Sequence, residues 1–500
     1  MAQWFAGNFE LCLDLCDQNT DPAADIAAQI TLLRSRALLR LDRAADALAS
    51  LEAFAWPVGG DVAVTARMLT GAALVRSNQT SRGLALLEDL QERATEAHRT
   101  IQSEIALNRA LAHFCRQEVD AADRVLDLVA TDADIVYARA LEYRGWVACR
   151  RTKFALAIRY FREALEHLDA CKHYDRYLEA NCAHVLGSLS VELLDPPTWA
   201  VVAERRAKID WSAQDIKRHR YWLAICASNY AFEIEGADFR AVREARIAQS
   251  LAPTSAALVE ALCQRAASAG RAHERLGQMD FADAAYELFC SLDPKQFEEY
   301  DKLVPLTLAK ELSFAGRPEQ AQHLFALYKQ QSGETSPLLA VTGSPTRYAF
   351  ELLVEGFVAE SNSEVPRARR AYLDAFTRFR GFDYKRRAVH SALRLGALLN
   401  EAELFEYADA ATRHLPPRSW LRQQVANLPT DIILRGLSPA RRDVLQLLCR
   451  GFTIPEIAAA RNRSRKTIAN TVTEVYRAFN VRHRTELLNE LLRRGIIKSA

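Results

Sequence analysis

From residue 1 to about 413, apolar side chains recur every three or four positions in segments of about 12 to 20 residues. Short breaks of Gly, Pro, Asp or Asn separate these segments. Such spacing lines the apolar positions along one face of an α-helix. No stretch alternates with the period of two that a half-buried strand needs. The pattern predicts an all-α chain of helices joined by short turns.

A longer periodicity lies over this one. Gly145 is followed 12, 16 and 19 positions later by Ala157, Phe161 and Ala164, and Gly356 at the same distances by Ala368, Tyr372 and Ala375. Gly270 leads likewise to Ala282 and Tyr286, and Ala309 to Ala321 and Phe325, with Phe289 and Tyr328 in their third positions. A tiny residue on one helix lets an antiparallel helix approach closely. A tiny residue on the second helix meets it, and an aromatic one turn later fills the adjoining groove. Small, small, aromatic, small at these distances resembles the tetratricopeptide (TPR) repeat family. The family's usual Pro after the second helix is matched by Pro294, though none follows Ala164. The resemblance implies an α-solenoid of about ten helical hairpins over residues 1–413. It also implies a concave face that binds a regulatory protein, a peptide or a ligand, RNA polymerase being one candidate.

Residues 414–436 contain Pro416, Pro417 and Pro429 and read as a linker. Four short helices are expected after it. The first has Ser438 as N-cap, Pro439 at its first position, and Val444, Leu445, Leu447 and Leu448 inside. The second opens on a capping box of Thr453 and Glu456. The third is capped by Ser464 and buries Ile468, Val472, Val475 and Phe479 in one stripe, which leaves Lys466, Asn470, Thr473 and Arg477 on the opposite face. Arg461, Arg463 and Arg465 cluster at its start. Cations and amides on one helix suit the DNA major groove, where Asn reads adenine and Lys or Arg reads guanine.

Residues 437–497 carry L-S-P, R-D-V-L-x-L-L, G-F-T-x-x-E-I-A, S-x-x-T-I, V-x-x-R-T-E-L and a closing G-I-I. This run resembles the LuxR-type (GerE-like) helix-turn-helix domain. The resemblance implies a bacterial transcription regulator that binds double-stranded DNA as a homodimer. It places base contacts at Ala469, Asn470 and Thr473, with Lys466 and Arg477 on the same face. Phosphate contacts fall at Thr453 and Thr467, beside Arg461, Arg463 and Arg465. The fourth helix, with Leu487, Leu488, Leu491 and Leu492, matches the family's dimerisation element. Ala469 and Ala478 stand where the family usually has Lys, Thr471 where it has His, and Arg441 where it has a capping Glu. A different target preference is therefore expected. The competing expectation is a TPR adaptor whose terminal unit binds protein instead of DNA.

Charge sharpens this division. Residues 437–500 hold 13 of the chain's 65 Lys and Arg but only 5 of its 63 Asp and Glu, so this stretch is +8 and the remainder −6 of a net +2. A basic end on a mildly acidic body points to a polyanionic partner for the end alone. Two basic runs inside the body, KRHRYW at 217–222 and the stretch from RARR to YKRR at 367–387, read as solvated helix faces. The Trp and Tyr residues read as core or groove packing. The ten cysteines are scattered, without C-x-x-C or zinc spacing, and read as buried free thiols. Only Cys12 and Cys16, four apart, offer a redox or metal pair. No phosphate loop, G-x-G-x-x-G after a strand, H-E-x-x-H or G-x-S-x-G occurs, so neither enzyme activity nor a cofactor is expected. The absence of a long apolar run leads to a cytoplasmic expectation.

Overall fold

The computed structural model describes residues 8–493 apart from 19–22, 42, 94–96, 133, 172–173, 213–215, 273, 294–302, 335–344, 400 and 427–436. Pro294, Pro429 and the closing G-I-I lie outside the described residues. All regular structure among them is helical.

Antiparallel hairpins follow the short opening helix Phe9–Asp17. They pair Ala24–Arg40 with Ala44–Glu52, Gly60–Arg76 with Thr80–Arg93, Arg99–Cys115 with Val119–Leu126, and Ile135–Arg150 with Phe154–Ala170. The pattern resumes with Ser255–Arg271 and Arg275–Cys290, Val304–Ala315 and Pro318–Glu334, Pro345–Ser361 and Val365–Gly381, and Lys385–Leu399 with Ala402–Thr412. This is a TPR-like solenoid.

The contacts behind the repeat are those its spacing requires. A Cβ on Gly145 would come within 2.7 Å of the Phe161 ring, and one on Gly356 within 2.4 Å of the Tyr372 ring. Phe161 and Tyr372 are fully buried. The Gly270 hairpin departs from the scheme: Gln278 covers Gly270, Tyr286 is only half-buried, and Phe289 takes the interior place. Further hairpins use the same distances with leucine as the filler. Gly71, Gly83 and Leu87 form one, where a Cβ on Gly71 would come within 2.7 Å of the Leu87 side chain. Ala110, Ala122 and Leu126 form another, and Ser35, Ala47 and Leu51 a third, all buried.

Between residues 176 and 251 the regular pairing lapses. Helix Arg176–Leu193 is buried on all sides, which marks an interior helix. Pro196–Lys208 and Lys217–Asn229 pack around it, and the latter runs into a π-helical turn, Tyr230–Glu235, ended by Gly236 at φ +70°. The array then winds back on itself. Helix Lys385–Leu399 returns to Arg176–Leu193, and Phe154 meets Tyr384 at 5.0 Å between ring centroids.

The first part of the expected linker, residues 414–426, is built into the body. Leu415, Ser419, Leu421, Arg422 and Val425 are buried, and Trp420–Ala426 is helical. His414 Nε2 lies 2.7 Å from the Leu194 carbonyl, Arg418 Nε donates to the Glu235 carbonyl at 3.0 Å, and Arg422 pairs with Asp409 at 2.7 Å. Residues 414–426 are thus a strap closing the body. The prolines end one helix without freeing the chain.

The terminal unit has a core of its own, drawn only from residues between Leu437 and Leu491. Its helices are Pro439–Cys449, Ile454–Ala460, Arg465–Ala478 and Arg484–Arg493.

Candidate nucleic-acid interface and the channel of the array

The third terminal helix is set by its cap and its stripe. Ser464 Oγ accepts from the Thr467 amide at 3.1 Å, satisfying one of the amides that a helix start leaves without a partner. Ile468, Val472, Val475 and Phe479 are buried against the first two helices. Lys466, Asn470, Thr473 and Arg477 are exposed together on the other side, and Ala469 is half-buried at its edge. The Thr473 hydroxyl donates to the Ala469 carbonyl at 2.9 Å, which leaves its oxygen lone pairs for an outside donor.

Around the helix start, Arg463, Arg465 and Thr467 are exposed. Arg461 is tied to Asp443 of the first helix and so presents less charge than the sequence suggests. Thr453 shares its amide and hydroxyl with Glu456 Oε2, at 2.7 and 2.8 Å. That amide hydrogen bond draws the Glu456 carboxyl below its ordinary range. Arg441 has a use that its departure from the family pattern concealed. Its Nε donates to Glu474 at 2.9 Å, bracing the first helix against the third.

The dimer expectation needs correction in two places. Leu487 and Leu491 are fully buried in the unit's own core, so neither is available to a second copy. Leu488 is half-buried, and the Leu492 side chain lies outside the described residues.

Inside the array runs a channel of about 1930 Å³, lined from Arg40 in the second helix to Gln424 in the strap. Both basic runs of the body contribute to it, contrary to the solvated-face expectation: Lys217, Arg218, His219, Tyr221 and Trp222 from one, and Tyr384, Arg386 and Arg387 from the other. The RARR segment does stay outside, with Arg369 and Arg370 exposed.

At the wall where the array meets itself, six charged or titratable groups from distant helices interlock. Arg386 bridges Glu192 at 2.7 Å and Glu233 at 3.1 Å, Arg387 adds a contact to Glu192 at 3.1 Å, and Arg271 reaches Glu233 at 2.5 Å. His390 Nε2 lies 3.1 Å from the other Glu233 oxygen. Burial pushes the Glu233 carboxyl up, but Arg271, Arg386 and His390 outweigh it and hold it well below its ordinary value. Glu192 is held low in the same way by Arg386 and Arg387 against its burial.

Further along, Asn181 donates to Glu142 at 2.5 Å, yet burial dominates and lifts that carboxyl to about 7. His184 and His219 sit beside Trp222, their centroids 5.8 Å apart. Burial lowers them to about 4 and about 3, so both are neutral near pH 7. The cysteine pair fares differently. Cys12 and Cys16 are buried among apolar residues, and burial, with Cys12 as neighbour, pushes Cys16 up to about 11. A thiol so raised carries little thiolate for metal or oxidant. No cluster of three metal-ligating side chains occurs among the described residues. Nor is any described helix long and apolar enough to cross a membrane.

No protein family and no curated protein matches the chain. Among solved structures, a Rap protein complexed with competence and sporulation factor is similar at 11% identity and a TM-score of 0.42, covering 70% of this chain and all of that one. The apo form of RapI follows at 10% identity and 0.37, with 80% and 97% covered. The Cut9–Hcn1 hetero-tetramer of the APC/C stands at 14% and 0.25, with 88% and 94% covered. Likenesses this slight carry no functional weight.

Proposed function

We propose that the chain is a sequence-specific DNA-binding transcription regulator, its helix Arg465–Ala478 entering the major groove while the helical array binds a regulatory polypeptide. One observation carries the reading. A helix whose apolar stripe is fully engaged in a small separate core presents Lys466, Asn470, Thr473 and Arg477 outward, on the end of the chain that holds the charge excess. The resemblance of residues 437–497 to the LuxR-type domain supports it, and the helix-turn-helix order supplies the docking geometry. Arg463 and Arg465 add phosphate contacts, and their counterion release makes binding salt-dependent.

Selection of binding sites from random duplex DNA by the full chain at about 0.15 M salt is the test. A two-fold symmetric motif is the expected result, and a single half-site would remove the dimer from the reading. Failure to enrich any motif would overturn DNA binding and leave a TPR adaptor whose terminal unit binds protein.

A further inference from the structure

We infer that the channel is a binding site for an acidic polypeptide segment held in extended form. The inference rests on the array half of the reading above and names its ligand class. Size speaks first. Small-molecule pockets run to about 300–1,000 Å³, and this channel is roughly twice the upper figure. A space this large suits a polypeptide segment more than a compact metabolite.

Charge speaks next. The body as a whole is acidic, with 58 Asp and Glu against 52 Lys and Arg outside residues 437–500. The channel inverts this balance: 12 Lys and Arg line it against 5 Glu. A cavity walled by protein focuses such a field and favours entry of negative charge. The same field repels the chain's own terminal unit at +8, which excludes that unit as the occupant.

The polar groups complete the case. Several residues lining the channel carry a buried polar atom with no hydrogen-bond partner: Nη1 of Arg271, Nε of Arg386, Oε2 of Glu192 and Nδ1 of both His184 and His219. His219 is 4% exposed. Buried polar groups left unpaired are costly and call for a partner. Guanidinium donors match carboxylates, while an orphan carboxylate oxygen demands a donor. An acidic peptide supplies both, carboxylates from its side chains and amides from its backbone. Inorganic phosphate at neutral pH supplies mainly acceptors. Gln264 donates to Ser228 and Asn229, and Asn181 to Glu142, while the side-chain amide of Gln278 lines the same channel and can serve backbone amides and carbonyls alike.

The test uses the full chain and fluorescein-labelled peptide pools of about twelve residues, with alternate positions fixed as Asp/Glu, Asn/Gln or Lys/Arg and the rest mixed. Anisotropy should show the acidic pool bound at least about tenfold more tightly than the Asn/Gln pool. That preference should shrink as salt rises from about 0.05 to 0.5 M. The double variant Arg150→Glu, Lys217→Glu reverses two exposed channel cations that no buried carboxylate depends on, so the fold should survive, as unchanged circular dichroism would verify. It should lose the acidic pool by about tenfold or more. Equal binding of the acidic and Asn/Gln pools would overturn the inference while leaving an array that binds peptides. Acidic binding unchanged in the double variant would also overturn it, by assigning the peptide to the basic terminal unit. Binding of no pool, or of inorganic phosphate in competition at equal concentration, would do so as well. The DNA selection on the wild-type chain is scored separately, so neither failure masks the other.

Discussion

Single positions in this fold are tuned by what stands opposite them. Gly356 has the Tyr372 ring where its Cβ would be, and that ring is pinned, fully buried with its hydroxyl 2.6 Å from Glu360. Gly356→Ala should therefore cost about 1–3 kcal/mol by overpacking. Gly381, with nothing near its Cβ position, should tolerate Ala or gain from it. Urea midpoints of the two variants check this, and equal midpoints would refute the close-approach account. A second residue-scale expectation concerns pH. His184 and His219 have folded values below the unfolded value, so the unfolded chain takes up their protons first, and their stabilising contribution is lost as pH falls below about 6.5. Glu142 works in the opposite sense. Its folded value is raised to about 7, so its contribution is present below the ordinary carboxylate value and lost as pH rises through 7. Burial lowers His390 as well, so three imidazoles oppose one carboxyl, and acidification from about pH 6.5 to 5 should destabilise the fold. The double variant His184→Phe, His219→Phe removes two of the three imidazoles and should flatten that dependence. An unchanged slope in denaturant melts would remove the histidines from the account.

At the scale of elements, the terminal helices show what capping and patterning determine. Ser464→Ala should cost the unit about 1 kcal/mol, because the Thr467 amide loses its acceptor. Arg441→Ala removes a half-exposed brace to Glu474 and should cost only about 0.2–1 kcal/mol. On DNA the expectations diverge by position. Asn470→Ala should cost about 1–3 kcal/mol and relax preference at one base pair, whereas Arg465→Ala should weaken all sequences alike and flatten the salt slope. Losses spread evenly over all sequences for Asn470→Ala would remove its base-reading role. Caps and stripe were legible because each depends on residues within four positions of one another. The repeat was legible for the same kind of reason, a hairpin's two contact points lying a fixed distance apart. It was under-read where Leu51, Leu87 and Leu126 stand in for the aromatic, since any large apolar side chain fills that groove. Two leucines of the fourth helix were assigned to a second copy because an apolar stripe does not say whether its partner is the same chain or another. Here Leu487 and Leu491 face their own core.

For the whole molecule, closure matters more than any one hairpin. The channel wall joins Glu192, Glu233, Arg271 and Arg386, residues nearly 200 positions apart at the extremes, and no periodicity foretells that meeting. The basic runs at 217–222 and 384–387 announced only charge, which a surface helix and a channel wall share. The strap was hidden for a related reason, its Pro416 and Pro417 marking a helix end whether or not the chain beyond it is buried. Trp420 now stacks on His390 with centroids 5.5 Å apart and lies under Arg271 at 5.3 Å, so the strap and the channel share one network. Its other anchor is Gly236, whose Cβ would stand 2.0 Å from the Arg418 carbonyl oxygen. Gly236 and Gly316 both occupy left-handed backbone, at φ +70° and +76°, and Gly316 has nothing within 4 Å of its Cβ position. Alanine at either site should bear the left-handed cost of about 1–2 kcal/mol. Only Gly236→Ala should also push the strap off the body. Hydrogen exchange across residues 414–426 separates the two effects: protection should fall in Gly236→Ala and persist in Gly316→Ala. If protection falls equally in both, the strap responds to overall stability and Gly236 is no anchor. If it falls in neither, the strap is held without the Arg418 contact, and His414, Trp420 and Arg422 suffice to close the array.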